Sequence, residues 1–536
     1  MVVSVRSDVR LFCPLDDGER WIIENPYGER FGISEDVACV FDALRKTPDM
    51  SLVYDRFGRD NVDQVVELLS EHEIFSDTGL ETISSSTSNR NFREWGRLRI
   101  ASPFSIQLTL LRNPSKIFTP FMGFGHLQWM AAAAVALVLS FAGLVGIALD
   151  FETLMHDLVT PQTIGNYLWM LLMTVFIISL HEYMHGAVLN SFGGRVSRMG
   201  IMLFYMAPAC FCDVSDGWRM SAKKRISVAC AGVISTFMLA GICALLRFIP
   251  NMPSSTASLV VSLYVGAIIN AIPTVKFDGY IALMAWKEEP FLRDKAMEQW
   301  KDFLASLFNQ DHHARISVLR IVYGMLCSAT PLVLIYSLYV AATESMGSST
   351  AGQVASALLL WILVWLVIRG WGKMIYRCAS DTTKNKRIVW SVAVICSIVM
   401  ASTVLLIPVE MKRSTVYSYK GNGILSIVLP SGEQIAVNTV LQVKQQGLIA
   451  SRYIGEAYVI DEPQEMEVPA DVFSPSINWP FNSTVIARTQ RAFFVNFKEF
   501  VIPVKGRISW IDRKKIFIQW LFEQLIRNPY KALMEK

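Results

Sequence analysis

Seven stretches of the chain are apolar enough, at about 20 residues each, to cross a hydrocarbon layer of about 30 Å as helices. They run over 127–149, 163–187, 225–249, 258–284, 317–341, 352–370 and 388–409. Between the second and third lies GIMLFYMAPACFC, Gly200 to Cys212, which is too short to span and contains a proline. It predicts a re-entrant hairpin or an edge strand. Toward the amino end the periodicity changes. ERWIIENPYGERFGIS has two short apolar runs around a Pro-Tyr-Gly turn, the pattern of a hairpin. Ser34 then caps a helix with Val37, Val40, Phe41 and Leu44 on one face, and a later helix carries Val62, Val65, Val66 and Leu69. A polar tract, SSSTSNRN at 84–91, reads as linker, and SPFSIQLTLLRNPSKIF after it as a membrane-apposed approach segment. From about 410, two-residue alternation with Gly-Asn-Gly and Pro-Ser-Gly turns predicts a β-rich domain. It closes on an amphipathic helix that offers Ile516, Ile518, Trp520, Leu521 and Leu525 to the domain or to a membrane face.

With 52% hydrophobic and 18% charged residues over 536 positions, the chain is too apolar for a soluble globule of this length. The expected fold class is therefore an α-helical polytopic membrane protein with about seven spanning helices. It carries a small amino-terminal α/β domain (1–80), a linker and approach segment (81–126), a transmembrane domain (127–409) and a β-rich domain (410–536). A net charge of +4, with basic residues clustered only beside apolar segments, excludes a nucleic-acid partner. Those clusters follow the second, fourth and sixth spans: Arg195, Arg198, Arg219, Lys223, Lys224 and Arg225; Lys287, Arg293, Lys295, Lys301 and Arg315; Arg369, Lys373, Arg377, Lys384, Lys386 and Arg387. The alternate loops have no lysine or arginine, which predicts a cell (inner) membrane protein with its amino end cytoplasmic and its carboxyl end outside. The first residues lack a signal peptide's apolar core. Nine cysteines without a CxxC pair read as small hydrophobes rather than a disulfide framework.

The candidate chemistry lies in IISLHEYMHGAVLN, Ile177 to Asn190, where polar groups at membrane depth are costly unless used. Residues four apart share a helix face, so His181 and His185 can direct imidazoles at one ion while Glu182 faces the water beside it. This is the HExxH zinc arrangement, in which the glutamate accepts a proton from water and delivers it to the leaving amine. A catalytic zinc takes a third protein ligand. His156, His312 and His313 are candidates by residue type, but none lies within a span. Asp278 does, near the inner end of the fourth, at the same depth as the two histidines by the loop-charge assignment. The alternative for Asp278 is a helix-terminal aspartate before a glycine turn.

HEYMH followed by NAIPTVKFDGY resembles the site-2 protease family of intramembrane zinc metalloproteases, whose second signature is Asn-x-x-Pro followed by an Asp-Gly pair. CDVSDGW with KRISVACAG is similar, more narrowly, to its branch of peptide zinc metalloproteases, found among enzymes that mature ribosomally made peptides. The resemblance covers about residues 95–290. It implies that His181, His185 and Asp278 hold Zn²⁺ and that Glu182 is the base. It also implies that Asn270 and Pro273 shape the substrate strand's path, with Asn270 donating to the developing oxyanion. The chain departs from a common form of the second motif at Ile272, Thr274 and Val275. Asp213 and Asp216 either hold a peptide's amino groups or cap a turn, and Phe204 and Tyr205 either add an edge for an extended substrate or pack. The amino-terminal domain is similar in arrangement to the leader-binding winged helix (RiPP recognition element) of peptide-modifying enzymes; its other reading is a regulatory or dimerisation cap. The expected function is a zinc metalloendopeptidase acting on a membrane-associated or leader-bearing peptide beside a lipid bilayer, alongside a peptide exporter or modifying enzymes. The alternatives are a signalling protease that releases a membrane-tethered regulator, and a non-hydrolytic peptide transporter or immunity protein.

Overall fold

The computed structural model describes residues 5–530 apart from 6–8, 16–20, 26–29, 47–49, 71–73, 76–93, 96–97, 103–104, 205–206, 307–316, 347–349, 381–405, 430–433, 482 and 496–501. Its helices and strands fall into two compact units. The first comprises 1–140, 175–239 and 264–290; the second holds the rest.

In the first unit, β1 (Arg10–Phe12), β2 (Trp21–Glu24) and β3 (Arg30–Ile33) form an antiparallel sheet in that order. The predicted hairpin is β2–β3, with Ile23 opposite Phe31. Helices α1 (Glu35–Lys46), α2 (Met50–Phe57) and α3 (Arg59–Ser70) follow, and Ser34 Oγ accepts the Val37 N–H at the start of α1. Their periodic faces bury Phe41, Leu44, Val62, Val65 and Leu69 against Val9, Ile23 and Ile33.

The segment read as linker and membrane approach is different. Residues 94–112 form β4 (Glu94–Trp95), β5 (Leu98–Ser102) and β6 (Ser105–Arg112), and a 3₁₀ turn covers Ser115–Phe121. After α4 (His126–Leu149), α5 (Phe151–Val159), β7 (Gln162–Thr163) and α6 (Ile164–Ser191), the predicted short hairpin appears as β8 (Arg198–Phe204) and β9 (Ala207–Cys212). It joins the earlier strands in a five-stranded antiparallel sheet, β4-β5-β6-β8-β9. The alternation in SIQLTLL suits a strand rather than a membrane approach; β6 pairs with the adjacent β5 on one side and on the other with β8, about 90 residues away in sequence.

A 3₁₀ turn (Ser215–Arg219), α7 (Ala222–Leu246) and α8 (Ser255–Ala271) come next. The fourth predicted span, 258–284, is not continuous. The helix stops at Ala271 and resumes as α9 (Asp278–Lys287). Pro273 lacks the N–H that would continue α8, and its ring would meet the carbonyl four residues back. Tyr264 Oη donates to Ser140 O (2.8 Å), and Trp129 Nε1 donates to Ser191 Oγ (2.7 Å), tying α8 and α6 to α4.

The second unit includes α10 (Leu292–Ser306), α11 (Val318–Met346) and α12 (Thr350–Ser380). Its β-rich part runs β10 (Pro408–Tyr419), β11 (Ile424–Val428), β12 (Val440–Gln446), β13 (Ser451–Val459), β14 (Gln464–Pro469), β15 (Ile477–Asn478), β16 (Thr484–Val495) and β17 (Lys505–Ile516). The sheet order is β11-β10-β17-β12-β13-β16-β14, and β11 also pairs with β16, closing a barrel around Tyr417, Leu425, Ile427, Leu441, Val443 and Ile508. The Gly-Asn-Gly turn joins β10 to β11 with all three residues at positive φ. Gln490, fully buried, receives the Ile435 N–H (3.1 Å) and donates to Ile435 O (2.8 Å) and Asp461 O (2.7 Å). The carboxyl-terminal helix is α13 (Phe517–Phe522), with Ile516 still in β17; Trp520 meets Tyr339 of α11 edge to face at 6.5 Å. Arg247 is 6% exposed at its side chain and sends Nη1 to Asp157 and Nη2 to Asp150, both at 2.9 Å.

Among the described residues five helices are long and apolar enough to cross a membrane: α4, α6, α7, and the stretches Val318–Thr343 and Gly352–Gly370 of α11 and α12. α8 is apolar but shorter, and most of the predicted span 388–409 lies outside the described residues.

Candidate metal centre

The helical repeat of α6 puts His181 and His185 on one face, both buried, with Nε2 atoms 3.2 Å apart. Asp278 Oδ2 lies 3.0 Å from the first and 3.4 Å from the second. Asp278 reaches them because the chain breaks after α8. The break lets α9 begin at Asp278, and Gly279 allows its first turn to approach α8: a Cβ there would come within 2.1 Å of Ala271 O. The Asp-Gly pair thus combines a donor with the bare backbone that lets the donor come close.

α7 holds the two imidazoles from behind. His185 Nδ1 bonds Val228 O at 2.7 Å, and a carbonyl oxygen can only accept, so Nδ1 carries the proton. His181 Nδ1 bonds Thr236 Oγ1 at 2.9 Å; that hydroxyl donates to Gly232 O (3.0 Å) and therefore accepts from the ring. Both Nε2 atoms then present lone pairs toward Asp278. Residues 228 and 236 flank Gly232 at four-residue spacing, so one stripe of α7 faces both histidines. A Cβ on Gly232 would stand 2.3 Å from His185 Nε2 and 2.6 Å from His181 Nε2. That open space is a cradle beside the donors. Two lone pairs and a carboxylate at these separations in a poorly hydrated site repel unless a cation or a proton lies among them. His181, His185 and Asp278 are the residues that could hold a metal ion.

Glu182, next to the first histidine, accepts the Cys212 N–H on Oε2 at 3.0 Å. Asp213 N–H, one residue on, donates to Arg198 O and so points toward β8; Cys212 N–H points the other way, off the outer edge of β9, which pairs with no further strand among the described residues. Glu182, His185 and Asp278 open on a cleft of about 1970 Å³. Its wall includes Cys212, Arg198 and Asp216, and also Arg10, Phe12 and Glu24 on one face of the β1–β2 ladder. Arg219 ties this ladder in: it donates to Cys13 O (2.8 Å) and to Asp216, lies 5.3 Å from the Phe12 ring, and its own carbonyl accepts the Leu15 N–H.

The other predicted site residues fall differently. Asn270 is half-buried near the end of α8, and neither it nor Pro273 lines the cleft. Asp213 caps its own turn through Ser215 N–H (3.2 Å) and pairs with Arg198; Asp216 receives the Arg195 N–H (2.9 Å) and Arg219. Both carboxylates hold the loop, the turn-capping alternative, while lining the cleft. Phe204 ends β8 opposite Ser105, and Tyr205 lies outside the described residues. His156 is in α5, in the second unit, and His312 and His313 lie outside the described residues. Cys212, which opens CDVSDGW, and Val228 and Gly232, which lie in KRISVACAG, carry the resemblance but had no role assigned from sequence, and Thr236 had none either. For the α7 pair a signal existed, the small residues Gly232 and Thr236 four apart in an apolar helix, which mark close helix packing. No family model, curated protein or solved structure matches the chain.

Proposed function

We propose that the chain is a zinc metalloendopeptidase that hydrolyses a peptide bond of a membrane-associated or leader-bearing peptide. The observation that carries this reading is the convergence of His181, His185 and Asp278 beside Glu182 at the cleft. Tetrahedral zinc with ligands at about 2.0–2.2 Å spaces its donors roughly 3.3–3.5 Å apart. The separations of 3.0, 3.2 and 3.4 Å come within a few tenths of that without rearrangement. Two neutral imidazoles and one carboxylate are a zinc-type donor set that leaves a fourth position open, and Val228 and Thr236 supply the outer partners such ligands use.

Bound zinc would supply Lewis acidity, polarising the scissile carbonyl and making water easier to deprotonate. Glu182 takes the proton from the attacking water and returns it to the leaving amine. Its tie to Cys212 N–H occupies one oxygen and leaves the other for this work. A helical substrate must unwind before cleavage, because its amides have no other partners in lipid. The outer edge of β9 offers main-chain partners to an extended segment beside the base. The face of β1–β2 on the same cleft supports recruitment of a leader by the amino-terminal domain. On this reading the protein lies in the cell membrane with the centre toward the cytoplasmic side, and works with exporters or modifying enzymes of a ribosomally made peptide.

Glu182→Gln tests the proposal. Metal content should be retained, and cleavage should fall by about 10²–10⁴-fold, the usual share of a general base. Intact-mass spectra of membrane peptides from cells carrying either form read the outcome. Processed peptide at wild-type level in the variant would sink the protease reading and favour non-hydrolytic transport.

A further inference from the structure

The second unit carries an apolar tip that metal chemistry does not use. Phe473, Trp479, Phe481 and Val485 are all exposed, Phe481 at 68%. They belong to one lobe of the barrel, where a 3₁₀ turn (Ala470–Phe473), β15 and the start of β16 meet; Ala470 N–H donates to Ser483 O, and Val485 pairs with Val468. Between Asp471 and Arg488 the sequence has no charged side chain. The lobe is held firmly at its base. Lys505, 4% exposed, sends Nζ to Asp471 Oδ2 (2.7 Å), Asp471 O (3.2 Å) and Ile477 O (2.8 Å), so the 3₁₀ turn and β15 cannot swing apart without stranding a buried ammonium.

The height of this tip is fixed by strand pairing. β15 runs parallel to β7, Ile477 beside Gln162 and Asn478 beside Thr163, and Gln162 N–H donates to Ser476 O at 2.9 Å. Thr163 immediately precedes α6, one of the helices of membrane-crossing length. Trp479 therefore leaves β15 level with the first turn of α6, and Phe481 follows within about 10 Å at roughly 3.3 Å per residue. The same end of α6 carries Tyr167 and Trp169, the residue types that gather where a span leaves the hydrocarbon.

We infer that Trp479 and Phe481 insert into the headgroup and upper acyl region of the bilayer that α6 crosses, so that the barrel is seated on phospholipid. The inference rests on α6 spanning a membrane. A phospholipid surface fits better than a protein partner, because the tip leaves β15 level with the start of α6, whose Leu168, Leu171 and Leu172 are also exposed, and the segment 472–487 brings no charge to be desolvated.

The test places the photoreactive residue p-benzoylphenylalanine at Phe481 in the full chain in its native membrane, and separately at Leu172 of α6. Phe481 is exposed, so the replacement leaves the barrel's packing intact. Phospholipid adducts at both positions are expected by mass spectrometry. Adducts at 172 with none at 481, or with protein adducts at 481, overturn the inference and leave the spanning helix standing. No lipid adduct at either position overturns both.

Discussion

Replacing Gly232 by alanine adds one methyl group where the structure has space for an ion. The new Cβ would stand 2.3 Å from His185 Nε2, 2.6 Å from His181 Nε2 and 2.7 Å from His181 Cε1. Ordinary carbon contacts begin about 1 Å further out, so either α7 retreats or the imidazoles turn away. Retreat of α7 draws Val228 O and Thr236 Oγ1 off both Nδ1 atoms, since all three groups lie on one stripe of that helix. Losing one outer partner costs about 10–100-fold in metal affinity, so losing two should cost at least ~100-fold, or about 2.8 kcal/mol. Alanine is also a better helix former than glycine by about 1 kcal/mol, so the metal-free protein should remain folded. The assay is zinc stoichiometry by elemental analysis after dialysis against a competing chelator, with a thermal melt of the metal-free protein beside it. Wild-type zinc affinity in Gly232→Ala would refute the placement of α7 against α6 that makes residue 232 face the donors.

Thr236→Val keeps the shape of the side chain and removes the oxygen that fixes the His181 ring. Zinc affinity should fall about 10–100-fold in a chelator titration, with cleavage restored by excess zinc. Arg247→Leu leaves Asp150 and Asp157 without their shared guanidinium and should lower stability by about 3–5 kcal/mol, read as a drop in thermal midpoint in detergent. Burial pushes the Asp150 carboxyl up, but hydrogen bonds from Thr153 and Arg247 hold it below the ordinary aspartate value of 3.8. Its share of stability is therefore present above pH about 3.8 and lost as pH falls through the lower folded value. The acid limb of the wild-type melt should flatten in Arg247→Leu. Gln490→Leu strands the Ile435 N–H and C=O and the Asp461 C=O inside the barrel, and should cost about 3 kcal/mol or more in the melt of the full chain.

Elements whose partners lie along the same helix or turn were legible before any coordinates. The four-residue spacing of His181 and His185 put both rings on one face whatever packs there. The hairpin of 21–33, the two-residue alternation after 410 and the Gly-Asn-Gly turn were likewise visible, because each rests on local backbone geometry. Asp278 was reachable by a depth argument from loop charges, yet its actual setting depended on Pro273, which divides a run that hydropathy alone reads as one span. Against the mostly apolar run of 258–272 a single proline barely changes the mean hydropathy, so the break leaves little mark there.

What the sequence by itself determined is the inventory: apolar helices of membrane-crossing length, an α/β beginning, a β-rich end, and a histidine pair with its glutamate on one helix. Only the tertiary structure decided which groups those histidines meet. Val228 contributes a backbone carbonyl, which every residue possesses, and Gly232 contributes the absence of a side chain, so neither leaves a mark that periodicity can detect. The Cys212 amide on Glu182 and the β1–β2 face on the cleft have the same origin. Each joins positions far apart in sequence, and such contacts follow from how whole elements pack rather than from the residues at any one place.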